Sequence, residues 1–298
     1  MATVTAVHAP TLSSDALFRA WSQFVHDALV TTAGWTDTSA TGEVNLSTMT
    51  APGANNTYAG FKVYAMGDSL QATYPCYLKV EYGRGNATNY ASLRLSVGTV
   101  HDGSGNLTGT QALNGEVVGA NATSTSALNC FASGATGRFA CAMFADNANA
   151  SYSFAFGVER TKASDGSDNG AGLVLYHAGF QNNVARARCV VIPPSGGLPP
   201  VETRWMMPFS RTGASSLYDS RVAVGLLIPF SGDALRTVLG VGYINAADVP
   251  VYSGTISATV YGVSRTFLSL GSAFVFNRLL EPDAGGINNP GRLLMRYE

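Results

Sequence analysis

Residues 61–100 read FKVYAMGDSLQATYPCYLKVEYGRGNATNYASLRLSVGTV. Three segments rich in β-branched and aromatic residues lie at 61–66, 74–82 and 92–100, and turn-forming clusters at 67–69 and 83–86 separate them. In the second and third segments apolar side chains alternate with polar or charged ones, which predicts one buried and one exposed face. Strands with this alternation are typical of an antiparallel sheet that is covered on one side.

The rest of the chain repeats this strand-and-turn pattern. A polar loop at 160–172 joins two apolar runs and predicts a hairpin. Further strands are expected near residues 116–118, 126–131, 137–145, 151–159, 186–192, 222–230, 237–243, 255–261 and 266–275.

One stretch near the start of the chain has helical periodicity instead. Ser13 and Ser14 offer an N-cap, and Asp15 places a negative charge in the first turn, where the helix dipole favours it. Apolar residues then recur at spacings of three and four as far as Gly34, which predicts an amphipathic helix of about four turns. This apolar stripe is expected either to pack on the β domain or to assemble with another subunit, and its candidate assembly residues are Trp21, Phe24 and Leu29.

Composition divides the chain into four regions. We expect an N-terminal arm and helix in residues 1–36, a β-sandwich domain in 37–192, a Pro/Gly linker or crossover in 193–200, and a C-terminal β region in 201–298. The boundary rests on PPSGGLPP at 193–200, which fits neither a helix nor a central strand. The predicted fold is mainly β: an antiparallel sandwich or jelly-roll-like arrangement with one N-terminal amphipathic helix, and with one or two β domains left open.

Charged residues make up 12% of the chain, against a usual share of roughly 25%. This deficit favours surfaces that contact other subunits, and a secreted β protein with a Ser-, Thr- and Asn-rich surface is the alternative. The net charge of −1 provides no basic field for nucleic acid. No apolar run approaches the length of a membrane span and the first residues lack a signal-peptide pattern, so we expect a soluble product made in a cytoplasm, with no membrane partner.

Metal, cofactor and disulfide signals are weak. Cys130 and Cys141 flank a Gly-rich turn and could face each other across a hairpin, so a disulfide between them is left open. No histidine or cysteine has a metal-ligand spacing, which predicts neither a metal nor a cofactor. His26 is expected on the polar flank of the helix, as surface.

No catalytic constellation stands out in the sequence. The chain lacks a phosphate-binding loop, and Ser104 between Gly103 and Gly105 sits in a turn rather than on a nucleophile elbow. The acidic residues form no persuasive glycosidase pair; the candidates are Glu81, Asp102, Glu159, Asp165, Asp168 and Asp219. We therefore predict a protein that is not an enzyme.

Tyrosines are concentrated around residues 58–90. A β face rich in tyrosine can stack on sugars or on a partner chain, although strand tyrosines are also common in cores. The candidate partner or glycan contacts are Tyr74, Tyr77, Tyr82, Arg84 and Tyr90.

Two segments carry a resemblance to a known group of proteins. They are SLQATYPCYLKVEYGRG (69–85) with SVGTVHDGSGNLTG (96–109), and FGVERTKASDGSDNGAGLVLYHAG (156–179). They resemble structural proteins of tailed-bacteriophage virions encoded among the tail genes, of the tail-fibre, baseplate-associated or decoration type. The helix with Trp21 and the Gly34-Trp35 turn fit as well, so the likeness covers roughly residues 15–180.

The resemblance implies a non-enzymatic, oligomeric part of a phage particle, located in the virion and most simply on the tail, as fibre, baseplate or connector. Its expected partners are other virion proteins and copies of itself, with a host surface glycan left open. A head decoration protein is one alternative. A receptor- or carbohydrate-binding module is the other.

Overall fold

The computed structural model describes residues 2–85, 91–118, 127–144, 153–162, 168–181, 184–192, 201–203, 227–230, 233–237, 241–245, 255–260, 263–269 and 291–296. Side chains are described for 2–85, 91–108, 127–143 and 155–160, and at a few later positions. The described part contains one α-helix, α1 (Asp15–Asp27), continued by a π-helical segment (Ala28–Thr32). Its strands are β1 (Ala2–His8), β2 (Thr36–Asp37), β3 (Thr57–Ala65), β4 (Tyr77–Arg84), β5 (Ala91–His101), β6 (Leu107–Val118), β7 (Leu128–Ala135), β8 (Arg138–Phe144), β9 (Ser153–Lys162), β10 (Asp168–Gln181), β11 (Val184–Ile192), β12 (Val201–Thr203), β13 (Leu227–Phe230), β14 (Asp233–Thr237), β15 (Val241–Asn245), β16 (Thr255–Val260), β17 (Val263–Ser269) and β18 (Gly291–Arg296).

The helix begins and ends where the sequence predicts. The side chain of Ser14 accepts a hydrogen bond from the Leu17 N–H at 3.4 Å, so it is the N-cap, and Asp15 lies in the first turn. At the other end Gly34 adopts a φ of +73°, which a residue with a side chain rarely adopts. The Trp35 N–H then donates to the Leu29 carbonyl at 3.0 Å, which satisfies one of the last carbonyls of the π-helical segment.

The stretch from 61 to 100 forms the middle of a five-stranded sheet with the order β2-β3-β4-β5-β6. Every pairing in it is antiparallel, and Leu78 of β4 lies opposite Tyr64 of β3 and Val97 of β5. The alternation predicted for the middle segment is confirmed: Leu78, Val80 and Tyr82 have no exposed surface. The turn predicted at 83–86 begins later, because Gly83 and Arg84 still belong to β4.

The second sheet has the order β1-β7-β8-β9-β10-β11-β12, with the β13–β14 hairpin joined to β9 through β14. The hairpin predicted around the polar loop at 160–172 is present as β9 and β10. The first residues differ from the predicted arm: β1 pairs along its whole length with β7, and Val4 and Ala6 pack against the core. A period of two in these residues, with backbone pairing on one side, makes them part of the sheet.

The two sheets and the helix share one hydrophobic core, so the predicted antiparallel sandwich with one N-terminal helix is confirmed. The core joins Trp21 of α1, Leu95 of β5 and Phe139 of β8 in one cluster, and β6 lies against β10 and β11. Each sheet is built largely from consecutive hairpins, as in a meander.

The region after residue 200 contributes to two sheets. β12, β13 and β14 extend the nine-stranded sheet, whereas β15, β18, β17 and β16 form a separate four-stranded antiparallel sheet in that order. The predicted linker at 193–200 lies outside the described residues. Strand pairing therefore crosses the predicted boundary at β12 and β14.

Cys130 and Cys141 lie on neighbouring strands but are not bonded. Cys130 is opposite Met143 and Cys141 is opposite Ala132, so the two thiols are diagonal rather than directly facing. Both are buried, and burial raises the pKa of Cys130 to about 12. The disulfide that the sequence left open is absent.

Candidate functional site

The five residues predicted as partner or glycan contacts do not share one surface. Tyr74 is exposed (42%) in the β3–β4 connection, and Tyr77 and Arg84 are half-buried at opposite ends of β4. Tyr82 is fully buried, so its proposed contact role is wrong: the alternation of β4 turns it toward the core. Tyr90 lies outside the described residues.

The three residues predicted for helix-mediated assembly lie inside the chain's own core. Trp21 and Leu29 are fully buried and Phe24 is 6% exposed. The Trp21 indole N–H donates to the Met143 sulfur at 2.8 Å, which ties the helix to β8. Because the sandwich already covers this stripe, these side chains are not available to another subunit.

The outward face of the five-stranded sheet carries pairs of aromatic and cationic side chains. The Arg94 guanidinium lies 4.1 Å from the Tyr58 ring centre, and the Lys79 ammonium lies 4.5 Å from that of Phe61. Arg94 also forms a two-pronged ion pair with Glu81. These side chains are half-buried and engaged with each other. Of the predicted contact residues, Tyr77 lies on this face.

A polar cleft opens on the other side of β3, between α1 and the segment at 37–47. Its volume is about 410 Å³. Its lining residues come from the helix, from the segment after β2 and from β3: Gln23, His26, Asp37, Ser39, Ala40, Glu43, Val44, Asn45, Leu46, Ser47 and Lys62.

An ion-pair triad forms one wall of the cleft. The Lys62 ammonium donates to Asp37 Oδ2 at 2.8 Å and to Glu43 Oε2 at 2.9 Å. The other Glu43 oxygen accepts from the Val63 N–H at 2.9 Å and from the Thr38 hydroxyl at 3.3 Å. Glu43 is thus fully engaged, and its side chain is only 5% exposed.

The triad shifts the pKa of two of its members. Burial alone would lower the pKa of Lys62, but its hydrogen bonds to Asp37 and Glu43 raise the pKa above its usual value. Burial alone would raise the pKa of Asp37, but hydrogen bonds from Lys62 and from the Ser39 N–H lower it. Both shifts favour the charged forms of Lys62 and Asp37 at neutral pH, so this pair places fixed charges on the cleft wall.

A hydrogen-bonded row of side chains leads from the cleft into the core. His26 Nδ1 lies 3.0 Å from the Tyr64 hydroxyl, which lies 3.1 Å from the Tyr82 hydroxyl. Burial raises the pKa of both tyrosines, which keeps the phenols neutral. His26 is thus a half-buried hydrogen-bonding residue, and the prediction that it is merely polar surface is wrong.

Sequence reasoning missed this cleft because its members look ordinary one by one. Lys62 stands where a strand would carry a polar residue, and Asp37 and Glu43 lie in a Thr- and Gly-rich stretch without strand pattern. One signal was available: Lys62 is one of few lysines in the chain and it lies on the face of β3 that also carries the buried Tyr64. A lysine on a buried face requires acidic partners.

Two of the acidic candidates, Glu81 and Asp102, have structural roles, and Glu81 pairs with Arg94 as described above. Asp102 accepts hydrogen bonds from the Ser104 and Asn106 N–H groups, as turn aspartates do. Asp68 forms a two-pronged, largely buried ion pair with Arg160 that joins the two sheets. In the described part of the chain, no three His, Cys, Asp or Glu side chains are grouped so that they could hold a metal ion.

Among the described residues, no helix has the length and apolar character needed to cross a membrane. Comparison with protein-family models, with curated proteins and with solved structures returns no match for this chain. A function for this chain is therefore inferred from its sequence and from the geometry of its sheets and of the cleft.

Proposed function

We propose that this protein is a non-enzymatic structural component of a tailed-phage virion that assembles with copies of itself, on the tail as part of a fibre, baseplate or connector. The virion and tail assignments rest on the sequence resemblance of residues 69–85, 96–109 and 156–179. The self-assembly rests on one structural observation: β1 has an uncharged edge with which no described strand pairs.

β1 pairs with β7 on one side, and no described strand pairs with its other side. Its seven residues, ATVTAVH, contain no Lys, Arg, Asp, Glu or Pro, which are the residues that natural edge strands use to prevent pairing. Its outward side chains include Thr3, Thr5 and Val7, and Val7 is 63% exposed. Such an edge supports pairing with a further strand.

A second copy of β1 is the occupant that fits this edge best. At a two-fold axis the strand would pair antiparallel with its own copy, so equal lengths meet and the contact closes. In such a pairing, a charge on the strand would lie near the same charge on the other copy and would be repelled. β1 contains no Lys, Arg, Asp or Glu, so this repulsion is absent. The far edge of the same sheet, β12, spans three described residues and carries Glu202, so it matches β1 less well.

The test compares Val7→Lys with the unmodified protein by size-exclusion chromatography with light scattering. Lysine at an exposed edge position would disfavour self-pairing, and it should change monomer stability by less than about 0.5 kcal/mol because the site is exposed. We expect an oligomer for the unmodified chain and a smaller species for Val7→Lys. Tyr74→Lys, at an exposed position away from the edge, is the matched control and should keep the oligomer.

A monomeric unmodified chain that never enters phage particles would contradict the proposal. An oligomer that is unchanged in Val7→Lys would contradict only the assignment of the contact to β1. A head decoration protein would have the same edge, so the tail position needs its own measurement. Cryo-electron microscopy of particles carrying a tagged copy of the chain should place the tag on the tail, and a tag on the capsid would favour the alternative.

A further inference from the structure

The cleft beside Lys62 has no role in pairing through β1. The charges and hydrogen-bonding groups of its lining indicate which class of ligand it would bind. We propose that it binds a neutral saccharide, which gives the protein a glycan-binding site separate from its assembly edge. The volume of about 410 Å³ lies within the range of roughly 300–1,000 Å³ that is usual for small-molecule sites.

The charges of the cleft disfavour ionic ligands. Lys62 already occupies the position between the Asp37 and Glu43 carboxylates, at 2.8 and 2.9 Å, so a ligand cation would have to displace it. Two carboxylates against one ammonium leave the wall with a formal charge of −1, which repels an anion. A neutral ligand avoids both penalties.

Several polar groups that line the cleft retain hydrogen-bonding capacity among the described contacts. Lys62 has three N–H donors and uses two of them on the carboxylates. Gln23 donates its amide N–H to Asp27, which leaves its carbonyl oxygen, and the Asn45 carbonyl accepts from Ser47, which leaves its NH₂ group. Donors and acceptors on one wall suit hydroxyl groups, since each hydroxyl both donates and accepts.

Apolar side chains lie on the same wall as these polar groups. Ala40 and Leu46 are buried and Val44 is half-buried, and all three line the cleft beside the polar groups. A sugar ring presents hydroxyls at its rim and C–H groups on its faces, so a wall with both polar and apolar parts complements it. The ion pairs and hydrogen bonds of the triad hold this wall in place, so a ligand would need to order fewer side chains on binding.

The test is a saturation-transfer-difference NMR screen of the full-length protein against glucose, galactose, mannose, rhamnose and N-acetylglucosamine, followed by calorimetric titration of any that bind. Glucuronate and glucosamine are included as charged counterparts. We expect at least one neutral sugar to bind, and glucuronate and glucosamine to bind more weakly than it or not at all.

Variants then place the site. Gln23→Ala and Asn45→Ala remove one hydrogen-bonding group each from the rim without touching the triad, and each should weaken binding about tenfold, as expected for the loss of one hydrogen bond. Tyr74→Ala and Tyr77→Ala alter the tyrosines outside the cleft and should leave binding unchanged. Circular dichroism of each variant checks that the fold is retained.

Three results would overturn the proposal. They are no binding by any neutral sugar in the panel, equal or tighter binding of the charged sugars, and binding that the tyrosine variants abolish while the cleft variants do not. The same titration with Val7→Lys separates this proposal from the assembly proposal, since the cleft and β1 share no residue and binding should persist.

Discussion

At the scale of single residues, Lys62 illustrates how a charged side chain is held at the edge of a β core. Its side chain is only 16% exposed, and its charge is balanced by Asp37 and Glu43 from the 37–47 segment that lines the cleft. Removing one partner of such a cluster costs more than the pair contributes, because the remaining charge keeps its desolvation penalty. The triad therefore fixes the 37–47 segment against β3.

We expect the contribution of Asp37 to depend on pH. A carboxyl whose pKa is lower in the folded than in the unfolded chain stabilises the fold above its unfolded pKa, and this contribution is lost as the pH falls through the folded value. Asp37→Asn should therefore be less stable than the unmodified chain at pH 7, by about 1 kcal/mol for a partly exposed charged pair. The difference should begin to shrink as the pH falls below about 4, and it should vanish only below the lowered pKa of folded Asp37.

Urea unfolding midpoints of both proteins between pH 3 and pH 7 measure this difference. One buffer series at about 0.1 M salt is used throughout, because exposed charges are largely screened at that salt concentration. Carboxylates outside the triad have the same surroundings in both proteins, so their contributions cancel in the comparison. A stability difference that stays constant down to pH 3 would show that the Asp37 charge does not carry it.

At the scale of elements, hydrogen bonds to backbone carbonyls hold the end of the helix against one turn of each sheet. Gly67, in the β3–β4 connection, donates its N–H to the Thr136 carbonyl in the β7–β8 turn at 3.0 Å. Trp35, just after the helix, donates its indole N–H to the neighbouring Ala135 carbonyl at 3.3 Å. The helix end and one turn from each sheet thus meet at one junction.

Gly67→Ala should disrupt this junction. A Cβ atom at Gly67 would lie 2.0 Å from the Gly34 carbonyl oxygen, so one of the two backbone segments must move. We expect a loss of about 2–3 kcal/mol in the free energy of unfolding, as for other overpacked sites. Thermal or urea unfolding monitored by circular dichroism measures it.

Gly53→Ala is the matched control, because a Cβ atom there meets nothing within 4 Å and the residue has an ordinary φ. Its change should stay within about 0.5 kcal/mol. Equal effects of the two substitutions would mean that the contact at Gly67 is not what restricts that position.

At the scale of the whole molecule, the helix and the two facing sheets depend on one core. Trp21 and Trp35 are almost completely buried in it, together with side chains from β4, β5, β7 and β8. The Asp68–Arg160 ion pair adds a buried polar link between the sheets, with side chains 14% and 8% exposed. Among the described residues, the core side chains of the helix and of both facing sheets thus form one cluster.

Native-state hydrogen exchange should therefore report one cooperative unit. The slowest amides of α1, β4 and β8 are expected to exchange with the same free energy, equal to that of global unfolding from urea titration. Mass spectrometry or NMR resolves these elements. If α1 exchanged with a clearly lower free energy than the strands, the helix would open independently and the single-core description would fail.

The sequence by itself determined the features whose signals are local. The alternation of residues 76–82 specified which face of β4 is buried, because side chains of a strand point to opposite faces in turn. Ser14 and Gly34 specified the ends of the helix, since a cap and a left-handed glycine act within one turn. The mainly β class and the β9–β10 hairpin followed from the same kind of signal.

Only the tertiary structure decided what lies beside what. An apolar helical stripe does not show what covers it, so the sequence could not tell that the stripe with Trp21 packs on the chain's own sandwich rather than on another subunit. The cleft is assembled from residues far apart in sequence, with Lys62 25 residues from Asp37 and 19 from Glu43. These pairs form because burying Lys62 under α1 requires compensating charge, and the irregular 37–47 segment supplies it through a path that no sequence period encodes.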